Sequence, residues 1–210
     1  GAISAIGAVS PPGGDTSEPV SQGTLRIVKV FWGLSSSLAY KRHFPAIDWL
    51  QSYSLYRDKV DAYFDRTIAP DWSEMVGETM SILQEESELE EIVRLVGVDA
   101  LGYKDRLTLE CARSIREDYL HQNAFHEVDT YASPEKQYGM LKTILTWYRK
   151  GQDALDADVS FHKIAGMKVL EQIGRMKYIP EEERAEKFAA INREMDAEFI
   201  ALTEGGVVHA

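Results

Sequence analysis

Cysteine is almost missing from this chain: Cys111 stands alone among 210 residues. No internal disulfide can form, which suits a reducing compartment, and Cys111 falls mid-helix among apolar neighbours as a small hydrophobe. No apolar run approaches the roughly 18 to 20 residues needed to span a bilayer, so membrane association is expected only through partners. Basic residues are scarce and scattered, 23 against 34 acidic ones, for a formal charge of -11. A phosphate backbone is therefore poorly matched, and nucleic acid is not an expected partner. The sequence contains no Gly-x-x-x-x-Gly-Lys-Ser/Thr, the loop that cradles phosphates and holds magnesium. Any triphosphate site must draw positive charge from a local lysine, a magnesium ion or a neighbouring chain. No serine sits in a nucleophile-elbow context. His121, His126, Glu127 and Asp129 invite a metal assignment, but residues five apart do not share a helix face and no His-x-x-x-His occurs. No metal site is expected.

What is present is the composition of a soluble globular protein, 44% hydrophobic and 27% charged. The first stretch, Gly1 to Val9, has no initiator Met and no basic leader. It reads as a central parallel strand over Ile3 to Val9, cut from a larger sheet, and the chain as a fragment. Pro11-Pro12-Gly13-Gly14 ends that strand, and Thr16 or Ser17 caps a short helix to about Leu25, with Glu18 and Pro19 in its first turn. Arg26 to Trp32 reads as a second strand stopped near Gly33, and Ser35 to Ser37 cap a brief helix to about Arg42.

From Leu55 onward the pattern is helical. Leu55 to Ile68 is amphipathic, and Pro70 opens a longer helix whose apolar stripe Gly97 closes. Glu85, Glu86, Glu88, Glu90 and Glu91 lie mostly off that stripe. Val98 to Gly102 is a short turn before a second long helix, Tyr103 to Leu120, antiparallel to the first. Ser133 with Pro134 and Glu135 starts a helix to about Leu155. Shorter helices follow near Ser160 to Ile164 and Val169 to Met176, and Pro180 leads a last helix to about Leu202. Gly205 to Ala210 reads as a loose tail.

Two stretches interrupt this pattern with residues that suit a pocket wall better than a packed helix face: His43-Phe44-Pro45-Ala46-Ile47-Asp48-Trp49, and Tyr119 to Tyr131 around Phe125. Their two phenylalanine rings suit a clasp on a flat ring such as a nucleobase. Residue types alone leave plain core packing open as well. Together with Ser10-Pro11-Pro12-Gly13-Gly14-Asp15 and Ser17-Glu18-Pro19-Val20, in this order, these stretches closely resemble the C-terminal part of the catalytic A subunit of V-type and archaeal A-type rotary ATPases. The resemblance runs from the first residue to about Glu204.

That resemblance implies a mainly α chain, a helical C-terminal bundle preceded by a small α/β remnant of a RecA-like nucleotide-binding domain. It divides the chain into residues 1–50, 51–204 and the tail 205–210. Phe44 and Phe125 then form an adenine pocket, stacking being worth about 1 to 3 kcal/mol per base. Pro45 holds the Phe44 ring, and Gln122 and Asn123 bond the base edge or cap the helix end, capping being favoured. The proline-glycine loop near Asp15 shapes backbone beside the catalytic interface. ATP or ADP with Mg2+ is implied for the whole catalytic polypeptide, its phosphate loop and water-orienting carboxylate upstream and an arginine finger from the neighbouring non-catalytic chain. The fragment alone is expected to be inactive and to hold no nucleotide tightly.

The hairpin Asp99, Ala100, Leu101, Gly102, Tyr103, Lys104 and Asp105 matches the acidic loop that pushes on the central shaft in related F-type β subunits. Here only Asp99 and Asp105 are acidic, with Lys104 between them, which weakens an acid-based mechanism. The implied partners are the non-catalytic B subunit, the central stalk and the peripheral stalk, at the cytoplasmic face of a membrane. A structural or adaptor bundle that binds proteins without nucleotide is the competing class.

Overall fold

The computed structural model describes residues 1–204; the tail expected at 205–210 lies outside the described residues. The first eleven residues form no strand. Ile3 is 99% exposed, because a strand needs hydrogen-bonding neighbours and none pairs with it among the described residues. Helix α1, Pro19–Leu25, is capped by neither Thr16 nor Ser17 but by Glu18, whose carboxylate accepts from the Val20 and Ser21 amides at 3.1 and 2.7 Å. One carboxylate satisfies two orphan N–H groups where a hydroxyl usually takes one.

Strand β1 is Val30–Leu34, later than expected. Its partner, β2, Ile47–Ser54, carries no such signal in the sequence. They form an antiparallel pair around α2, Ser36–Tyr40, which Ser35 caps. The register slips between Phe31 and Gly33, where Asp48 Oδ1 accepts from the Leu50 and Gln51 amides and Ser52 Oγ replaces a ladder carbonyl for Gly33. The resulting bulge leaves Trp49 packed at the margin of the helical core.

The rest is helical: α3, Arg57–Thr67, α4, Trp72–Val96, and α5, Tyr103–Ser114, which runs on as a π-helical turn, Ile115–Leu120. After a loop come α6, Pro134–Asp156, then α7, Phe161–Ala165, α8, Val169–Arg175, and α9, Arg184–Glu204. Gly97, at φ 86°, ends α4 in a backbone region that favours glycine. Ser133 Oγ accepts from the Lys136 amide, and Pro134 follows at the first helical position, so α6 starts where expected.

Helix α6 lies at the centre, with Ile144, Leu145 and Trp147 buried against Leu83 of α4, Leu107, Cys111 and Ile115 of the α5 run, and Met195 of α9. One member of the glutamate run departs from the expected solvated face: Glu86 is 5% exposed. It faces the α5 run, where Arg116 donates to both its oxygens at 3.0 and 3.1 Å. The pair ties the two arms of the antiparallel hairpin well below its tip. Among the described residues, no helix is long and apolar enough to cross a membrane.

Candidate functional site

The two aromatic stretches, far apart in sequence, are joined by backbone hydrogen bonds. Gln122 N–H donates to the Phe44 carbonyl at 2.7 Å, and Phe44 N–H donates to His121 Nδ1 at 3.1 Å. One residue earlier, His43 Nε2 sits 2.8 Å from the Arg116 carbonyl oxygen. The first stretch is thereby fastened to the end of the π-helical turn. Phe44, which precedes Pro45 across a cis peptide bond, keeps 50% of its surface open, and Phe125 is fully exposed. Neither ring pairs with another aromatic ring among the described residues. Exposed rings of this size on tied loops are costly in water unless something covers them.

Gln122 and Asn123 do not cap the helix end. Gln122 Nε2 donates to the Asp129 carbonyl, and the Asn123 side chain accepts from the Phe125 amide, so both tie the loop to itself. Buried Asp129 accepts from the Asn123 amide, and His126 Nδ1 accepts from Val128 and Asp129. These bonds brace the loop beneath Phe125.

The helix-end carbonyls are taken instead by a residue that sequence reasoning misses. Lys177, nearly buried, donates to the Glu117 and His121 carbonyls at 2.8 and 3.1 Å. Lys136 in turn donates to the carbonyls of Lys177 and Ile179. Burial lowers the pKa of both ammonium groups from the ordinary lysine range. Neither lysine announces itself in the sequence. The histidines flanking the two stretches are a usable signal, since His43 directly precedes Phe44 and His121 directly precedes Gln122.

As chemistry, the site offers two open apolar rings and buried cations already committed to carbonyl groups. An open aromatic face can stack on another flat ring. Among the described residues no group of three or more His, Cys, Asp or Glu side chains is gathered to hold a metal ion.

At the hairpin tip, Val98–Ala100 forms a turn of 3-10 helix and Leu101 is buried. Arg106 reaches back to Asp99 at 3.2 Å and to the Leu101 carbonyl. Lys104 pairs with Asp156 at 2.5 Å, and Tyr103 lies parallel to Phe161 with ring centroids 6.0 Å apart. Beside these charges an apolar group stays open, Ile92, Leu95, Val96 and Val98, with Leu95 83% exposed, and exposed Arg94 lies among them.

Comparison with known proteins fits this geometry. Residues 61–165 match the family described as the C-terminal domain of V and A type ATP synthase. Residues 1–54 match the nucleotide-binding domain of the ATP synthase alpha/beta family. The V-type ATP synthase alpha chain of Acetivibrio thermocellus is 63% identical over 96% of this chain and 34% of its own. The V-type ATP synthase alpha chain of Thermoanaerobacter pseudethanolicus is 58% identical over 100% of this chain and 35% of its own. The chain thus spans about a third of the length of these relatives. An A-type ATP synthase chain of Methanopyrus kandleri is likewise 58% identical, over 97% of this chain and 34% of its own. Among solved structures, the ATP synthase protein NeqB from Nanoarcheaum equitans superposes with a TM-score of 0.52 at 24% identity, over 66% of this chain and 32% of that one, a likeness of fold. With identity this high along nearly its whole length, the chain belongs to the family of V- and A-type ATP synthase alpha chains.

Proposed function

We propose that this chain supplies the adenine wall and the coupling domain of the catalytic polypeptide of a rotary V/A-type ATP synthase. The observation that carries the reading is the pair of bonds joining Phe44 to its partners, its N–H donating to His121 Nδ1 and its carbonyl accepting from the Gln122 amide, which fasten the Phe44 loop to the loop that presents Phe125. Phe44 and Phe125 are the rings that face adenine, with Pro45, Gln122 and Asn123 shaping their loops. ATP or ADP with Mg2+ is held in the whole catalytic polypeptide by a phosphate loop that this chain does not carry. Nucleotide turnover at an interface with the B subunit then moves the helical layer, and the hairpin from Asp99 to Asp105 passes that movement to the central stalk. The membrane is engaged only through the ion-translocating sector, and the peripheral stalk holds the assembly still. The working boundary between the two parts of the chain is the turn at Leu55 and Tyr56, since β2 runs through residue 50.

Replacing Phe44 and Phe125 by alanine in the whole catalytic polypeptide tests the pocket. Loss of stacking of about 1 to 3 kcal/mol per ring corresponds to roughly 5- to 150-fold weaker adenine-nucleotide binding for each. The competing reading, a helical bundle that binds proteins and no nucleotide, requires unchanged affinity in both variants.

A further inference from the structure

Two imidazoles hold the Phe44 loop against the helical layer, and their contacts fix their tautomers. The Arg116 carbonyl can only accept, so His43 Nε2 carries a proton there. The Phe44 amide can only donate, so His121 Nδ1 presents a lone pair. The ring centroids lie 5.2 Å apart, and Trp49 meets His43 edge-on at 5.6 Å. His43 Nδ1 is buried with no hydrogen-bond partner among the described residues.

The charged groups around His121 come from four directions. Lys177 reaches the His121 carbonyl from the turn after α8, and His43 lies alongside. Asp129 belongs to the loop that follows, and Glu117 to the π-helical turn before it. Asp118 acts on Lys177 from the same turn, while the Arg116 guanidinium is committed to Glu86.

We propose that His121 is a positioning residue for the Phe44 loop and acts as a proton-sensitive clasp. Neutral, its Nδ1 lone pair holds the Phe44 amide. Protonated, Nδ1 becomes a donor facing a donor, the contact opens, and the adjoining bond from Gln122 to the Phe44 carbonyl loses its support. Burial, then Lys177, then His43 hold the imidazole below its ordinary range. A base with a lowered pKa binds fewer protons in the closed state than in the open one. The clasp is therefore fully made above the ordinary imidazole value of about 6.5 and weakens as pH falls from there through the lowered value. That acid would also loosen the adenine wall rests on the role given to Phe44 above.

The test is an NMR titration of this 210-residue chain from about pH 8 to about pH 5. It follows the His121 ring nitrogens, the Phe44 and Gln122 amides, and the scalar coupling across the Phe44 N–H to Nδ1 bond. Both amides are expected to move with the His121 midpoint, below about 6.5, and the coupling to vanish on the acid side. His121→Asn places a non-titrating acceptor near the Nδ1 position and should leave both amides flat over the same range. Amides that stay still while His121 titrates, a coupling that survives protonation, or an unchanged titration in His121→Asn would each overturn the clasp. Since no nucleotide enters this experiment, a failed adenine pocket leaves its outcome untouched, and the wild-type coupling decides even if the variant does not fold.

Discussion

At the scale of single residues, Glu86 and Arg116 form a largely buried ion pair. Burial raises the Glu86 carboxyl above its usual range despite the guanidinium beside it, so desolvation outweighs the attraction. Such a pair adds little over an apolar replacement, yet breaking it from one side strands a charge. Glu86→Ala should lower unfolding free energy by about 3 kcal/mol, read as a shift of the urea midpoint at unchanged slope. This residue is illegible in the sequence because it sits in a run of five glutamates within seven positions, and its partner lies 30 residues away. The adenine role proposed for Phe44 and Phe125 draws more on resemblance to a family than on their residue types. His43 and His121 are marked in the sequence by their neighbours Phe44 and Gln122, but the partners that give them their role lie more than 70 positions distant.

Among elements, the approach of α9 to α6 is set by a missing side chain. A Cβ on Gly139 would lie 2.7 and 2.8 Å from carbons of the Phe188 ring, which is itself buried. Gly139→Ala gains up to about 1 kcal/mol of helix propensity but forces the ring aside at about 1 to 3 kcal/mol. Net destabilisation is expected in thermal unfolding, and combining it with Phe188→Leu should recover part of the loss. Elements whose signals are local are readable from sequence: Ser133-Pro134 starts α6, and Gly97 ends α4. Those that depend on neighbours are not. Ile3 to Val9 has strand composition without strand partners. In β2 the turn that Asp48 makes within the strand breaks the alternation that would have announced it. The π-helical end of α5 is held by Lys177, again a distant residue.

At the scale of the whole molecule, the two ends to which the proposed reading gives a role are separate. The Phe44 and Phe125 loops occupy one region, and the hairpin tip presents Leu95, Val96 and Val98 at another, with Lys104 and Asp99 of the tip paired within the chain. On the proposed reading, Leu95→Ser combined with Val96→Ser should leave this chain's unfolding free energy within about 0.5 kcal/mol, since neither side chain is buried. In the assembled enzyme the same pair should reduce nucleotide-driven ion transport while adenine-nucleotide affinity stays constant. Equal loss of both would place the tip's role in stability instead of coupling. The division into an α/β start and a helical remainder is readable from composition and periodicity, whereas the separation of the two ends requires the fold.

The internal pairing of Lys104 with Asp156 and of Asp99 with Arg106 also bears on kinetics. A partner arriving at the hairpin meets Leu95, Val96 and Val98 among charges of both signs, Arg94, Asp99, Lys104 and Asp105, so the tip carries no single-sign field to steer the encounter. Raising ionic strength should therefore slow docking at this end less than it would at a loop of uniformly acidic charge.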